Sequence, residues 1–186
     1  MKDHERFVRP ALNDHLQAVG YVCVEWSLLE EAMDLMLASL IPLPADDVFR
    51  CISVNADIRA KIQMAKGMCL AHGLEWSNDL ITVLDYIDND LRVTRNRYVH
   101  DSWGADPAIG TTQRQAMIKI AKPQSRKPRR LTLAQVHSRP LEGLWMLVER
   151  LIEARRWLAT SARQHSQGET PQPVPPGVFL PQSPHP

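Results

Sequence analysis

The sequence of 186 residues has only three cysteines, Cys23, Cys51 and Cys69, and no Cys-x2-Cys pair. An odd number at wide spacing excludes a disulfide framework and a zinc site built on thiolates, and it predicts a reducing compartment. Cys69 and His72 share one helical face, but two lone ligands do not make a metal site, so packing is the expectation there and no metal or cofactor is predicted. No stretch approaches the roughly 20 apolar residues of a membrane span. The opening Met1-Lys2-Asp3-His4-Glu5-Arg6 lacks the apolar run of a secretory signal. These absences predict a soluble, cytoplasmic protein with no membrane partner.

Acidic residues are missing from one long segment. Between Pro107 and Leu141 there is no Asp or Glu, while Arg114, Lys119, Lys122, Arg126, Lys127, Arg129, Arg130 and Arg139 all fall there. The net charge of +1 therefore hides a basic block on a body that carries 14 basic and 21 acidic residues. A basic segment on an acidic body suits a phosphate-rich partner such as RNA. A solvated loop is the plainer reading of the same charges.

What is present is mostly helical periodicity. Leu12, Leu16, Val19, Cys23, Trp26, Met33, Leu37 and Leu40 recur at spacings of three and four, with Leu29 and Met36 widening the stripe. That predicts one long amphipathic helix from about Ala11 to Ile41, ended by Pro42 and Pro44. A short helix is expected at 45–52. Another is expected from Asn55 to His72, with Ile58, Ile62, Ala65 and Cys69 inward and Gly73 just past its end. The next runs from Glu75 toward His100 on the stripe Leu80, Leu84, Ile87 and Leu91.

Gly104, Pro107 and Gly110 break the pattern, and residues 115–121 and 129–133 suggest a small β-hairpin insertion around 115–133. A last helix is expected over Ala134 to Arg163, kinked at Pro140, with Leu141, Leu144, Leu147 or Val148, Leu151 and Leu158 buried. The Pro-rich stretch 164–186 reads as a disordered tail. The sum is an all-α domain over 1–163, an antiparallel bundle of four to five helices.

The most specific pattern is Arg95-Asn96-Arg97-Tyr98-Val99-His100, an arginine, a polar residue directly after it and a histidine five residues on, at the end of a long helix. The chain here resembles the HEPN superfamily of all-helical domains, which carry an Arg-x4-His motif near the C-terminal end of a core helix. The resemblance covers roughly Ala11 to Arg163, and outside the motif it rests on helix order rather than residue identity. It implies a homodimer with two motifs facing one cleft, and a metal-independent endoribonuclease, in toxin–antitoxin or phage-defence biology, with an antitoxin or other protein as partner. A non-catalytic module binding nucleotide, RNA or protein is the alternative it leaves open.

On a regular helix, Thr82, Asp85, Asn89, Asn96 and His100 form a second, polar face, roughly opposite Leu84 and Leu91. Such a face is either the wet side of a surface helix or the contact with a second copy. The residues suit RNA cleavage by the adjacent 2′-hydroxyl. His100 titrates near neutrality and can move a proton, Arg95 offers a guanidinium to the pentacoordinate phosphate, and Asn96 can position either. Arg92 and Arg97 add positive charge and, with Lys119, Lys122, Arg126, Lys127, Arg129 and Arg130, form the expected RNA-binding set. Asp101 works against it by repelling phosphate and raising the imidazole pKa. Trp103 either stacks on a base or plugs the bundle end. Glu30 falls between Trp26 and Met33 in an apolar stripe and needs a partner, with Arg95 the expected one and Arg59 or Lys61 the substitutes.

Overall fold

The computed structural model describes residues 10–42, 47, 51, 55–100, 102–106, 111–115, 136–138, 141–175 and 177–179. The fold is all-α in its body. Helix α1 spans Pro10–Leu40, α2 Ile58–His72, α3 Ser77–Tyr86, α4 Arg92–His100 and α5 Leu141–Ser166. Between α3 and α4 the chain does not leave the helix but widens into a π segment, Ile87–Leu91, closed by the Arg92 N–H donating to the Ile87 carbonyl. A short antiparallel sheet follows α4, with β1 (Ser102–Asp106), β2 (Thr111–Gln115) and β3 (Val136–Ser138) in that order.

The helix ends follow local chemistry. Asp57 caps α2 by accepting the Ala60 N–H at 2.8 Å. Gly73 ends it with φ of 61°, a left-handed turn that a Cβ disfavours, and the Leu74 N–H returns to the Cys69 carbonyl at 3.3 Å. The Ser77 hydroxyl ties this turn to α3 by donating to the Leu74 carbonyl at 2.6 Å.

Pairs at successive heights give the helix directions. Trp76 meets His165, Asp90 meets Arg150 and Tyr98 meets Gly143, so α3–α4 runs antiparallel to α5. Lys66–Asp85 and Arg59–Asp88 set α2 antiparallel to the same helix. Tyr21 against Trp145 and Glu25 against Arg155 rise together, which the 1.5 Å rise per residue allows only if α1 and α5 run the same way. Antiparallel packing is thus a property of the motif-bearing helix against its neighbours, not of every helix pair.

The core is one cluster built from Leu29, Met33, Met36 and Leu37 of α1, Ile62 of α2, Leu80 and Leu84 of α3, Ile87 and Leu91 of the π segment, and Leu144, Leu147 and Leu151 of α5. The expected inward residues of α2, of α3 with the π segment, and of α5 are buried, Leu141 only partly. Along α1 the phase differs in the first half. Leu16 is 57% exposed and Cys23 half-buried, whereas Ala18 and Val22 are buried. Both sides of this helix carry apolar residues, so spacing alone permits two stripes, and the packed neighbours select one.

Three further expectations need correction. The last helix starts at Leu141, because a proline clashes with the preceding turn and cannot continue its hydrogen bonds, and residues 136–138 are a strand instead. The region 164–186 is not a disordered tail throughout: α5 continues to Ser166, Pro171 is buried, and Phe179 is 5% exposed and packs on Tyr86 at a centroid distance of 5.4 Å. Third, the regular helical wheel fails at the π segment. Of the expected hairpin only Gln115 is described, as the last residue of β2, and the remainder of 115–133 lies outside the described residues, as does nearly all of 45–52.

Candidate functional site around Arg95

Arg95 lies one turn into α4, directly after the π segment. Widened turns of this kind recur at functional sites, and here the turn resets the face that follows. Tyr86, Ile87 and Asp88 are all buried. Thr82, Asp85 and Asn89 are exposed as a polar face requires, yet beyond the π segment Asn96 is half-buried and Arg97 is the exposed residue. The outer face therefore passes to Arg97, not to Asn96. Asp85 on that face already holds Lys66 at 2.6 Å.

The Arg95 guanidinium carbon sits over the Trp26 ring of α1, 5.5 Å from the centroid. A guanidinium on an indole face gains electrostatic attraction without using its N–H donors. The Trp26 indole N–H in turn donates to Glu30 Oε1 at 2.8 Å. Arg95 also donates from Nη1 to Asn96 Oδ1 at 3.1 Å. Glu30 is half-buried rather than in the middle of the stripe, and the indole supplies its hydrogen bond. The structure thus gathers Glu30, Trp26, Arg95 and Asn96. The substitute partners named for Glu30 are engaged elsewhere: Lys61 reaches Asp34 at 2.7 Å and Arg59 reaches Asp88 at 3.7 Å.

Tyr98, the next inward residue of α4, is buried against α5. A Cβ at Gly143 would lie 2.8 Å from the Tyr98 hydroxyl, so glycine there admits the phenol and seats the motif helix on α5. His100 closes α4, and its side chain lies outside the described residues. Asp101 also lies outside them. Trp103 belongs to β1, opposite Arg114 of β2 in the register, and its side chain lies outside the described residues.

Of the expected RNA-binding set, Arg97 is exposed. Arg92 is not a spare cation: its Nε donates to Asp88 Oδ1 at 2.6 Å, an ion pair with a carboxylate that is itself buried. Lys119, Lys122, Arg126, Lys127, Arg129 and Arg130 lie outside the described residues.

Two further polar features leave no mark in the spacing. Asp34 and Lys61 form a buried ion pair, with side chains 11% and 7% exposed. Tyr86 is pushed up to about 12, first by burial, with Arg150 opposing and Asp90 and Glu153 adding to the rise. Among the described residues no group of three or more His, Cys, Asp or Glu side chains is placed to hold a metal. Cys69 is buried and its thiol pushed up by that burial, the state of an inert packing residue, while His72 is exposed. No helix among the described residues is long and apolar enough to cross a membrane. Comparisons with family models, with curated proteins and with solved structures find no match to this chain.

Proposed function

We propose that the chain is a HEPN-like, cytoplasmic, metal-independent endoribonuclease that cleaves RNA by 2′-hydroxyl transesterification at a composite site of a homodimer. The observation that carries this reading is the placement of Arg95, stacked on Trp26 and joined to Asn96 at the last turns before His100. A guanidinium fixed before substrate arrives stabilises developing phosphate charge without reorganising. In this scheme His100 moves the proton, Arg95 stabilises the transition state, and Asn96 holds the guanidinium edge through its amide oxygen. Trp26 and Glu30 support Arg95 from α1. The exposed residues Thr82, Asn89 and Arg97 supply the surface for the second copy or for the RNA backbone. The role follows that of a toxin or defence nuclease with an antitoxin as partner.

Expression of the wild-type gene should slow growth of the host, and His100→Ala should relieve that effect while the protein still accumulates. Equal growth with both forms would argue against a nuclease. One observation favours a second reading, a dimeric module that binds nucleotide, RNA or protein without cutting: Arg92 is neutralised by Asp88, which leaves less positive charge around the motif than the sequence suggests.

A further inference from the structure

Residues 167–179 leave α5 at Gly168, whose φ is 77°, and return along the bundle. The turn that closes α5 is well bonded, with the Gln167 and Gly168 N–H groups donating to the Arg163 and His165 carbonyls, and beyond it the described residues carry few bonds to the helix. Glu169 N–H donates to the Gln164 carbonyl at 2.9 Å, but the next bond to α5 is a long one, Gln172 N–H to Gln164 Oε1 at 3.3 Å. Burial along the strap is intermittent. Pro171 is buried and Val174 half-buried, while Gln172, Pro173 and Pro175 are exposed. Along it runs an open groove of about 350 Å³, lined by Trp157, Ser161 and Gln164 of α5 and by Pro173, Val178 and Phe179 of the strap among others. A segment with few hydrogen bonds and incomplete packing belongs to the low-stability end of a structure.

Pro171 and Phe179 are its buried residues among those described, and Phe179 meets Tyr86. Tyr86 is the last residue of α3, and the π segment begins at the next residue. That segment carries Asp88, which holds Arg92 and Arg59, and Asp90, which reaches Arg150 at 3.7 Å. The α4 turn bearing Arg95 follows at once.

We propose that residues 167–179 are a detachable clasp, and that docking of Phe179 on Tyr86 sets the π segment and through it the position of Arg95. Release of the clasp uncovers Tyr86 and loosens the widened turn while the α1–α5 core stays intact. The inference goes beyond ribonuclease activity and holds whether or not RNA is cut. Amide hydrogen exchange on the full chain tests it. In Phe179→Ala, exchange should quicken at least ~10-fold both in 167–179 and in 84–95, and remain unchanged in α2 and in the buried stretch of α1. Val174→Ser should give the same pattern more weakly, and decides the matter if Phe179→Ala does not fold. Faster exchange confined to 167–179 would overturn the coupling. Faster exchange of every amide together in both variants would overturn it too, by making the strap an ordinary part of the core.

Discussion

Arg95 of α4 lies over the indole of Trp26 of α1, and the same indole donates its N–H to Glu30. One tryptophan therefore holds a cation on its face and an anion at its edge, which joins the two helices at the motif. Trp26→Phe keeps an aromatic face and removes the donor. It should destabilise the protein by about 2 kcal/mol, in keeping with loss of a hydrogen bond to a charged group. In chemical denaturation, Trp26→Phe combined with Glu30→Leu should cost less than the two changes summed. Strict additivity would mean that the N–H and the carboxylate do not act as a pair.

The Asp34–Lys61 pair is buried at both ends. Removing either partner leaves an uncompensated charge in the core, so Asp34→Leu or Lys61→Met should each cost about 3–5 kcal/mol. The double variant should be more stable than either single one. Equilibrium unfolding of the four proteins measures this directly.

Gly143→Ala should destabilise by about 1–3 kcal/mol, because the new methyl meets the Tyr98 hydroxyl. In a Tyr98→Phe background the same change should cost less, since the atom in its way is gone. Thermal unfolding of the set separates this close contact from the helix propensity that alanine gains over glycine, which would be equal in both backgrounds.

Stability should fall as pH drops below about 6.5. Burial lowers the pKa of His165 from its ordinary 6.5, with the His72 charge adding to the effect, and burial lowers that of His15 against the opposing pull of Asp14. The unfolded chain then takes up protons at a higher pH than the folded one. Stability is therefore full above 6.5 and declines from there down to the folded values. His165→Gln should flatten part of this decline in melting temperature against pH.

Helix order was legible in the sequence because Leu80, Leu84, Ile87 and Leu91, and likewise Leu144, Leu147, Leu151 and Leu158, repeat with a helical period whose inward side is unambiguous. α1 was harder to phase, since Leu16 and Val24 are as apolar as Val22 yet point to solvent. The π segment left no periodic trace, because one residue added to a turn looks like ordinary scatter in the stripe. That hid the shift of the outer face from Asn96 to Arg97. Proline content suggested a loose tail, but three apolar side chains, Val174, Val178 and Phe179, find a surface on the bundle that composition does not reveal. The hydrogen bond from Trp26 to Glu30 is hidden for a related reason: spacing assigns Trp26 to the core stripe and is silent on its indole N–H.

The most direct measurement is cleavage of single-stranded RNA by the purified protein in EDTA. The expected products end in a 2′,3′-cyclic phosphate and a 5′-hydroxyl, and 2′-deoxy substrates should survive. Arg95→Ala and His100→Ala should each lose at least ~100-fold in rate while remaining folded. Cleavage that depends on added metal, or that persists in His100→Ala, would contradict the proposed chemistry.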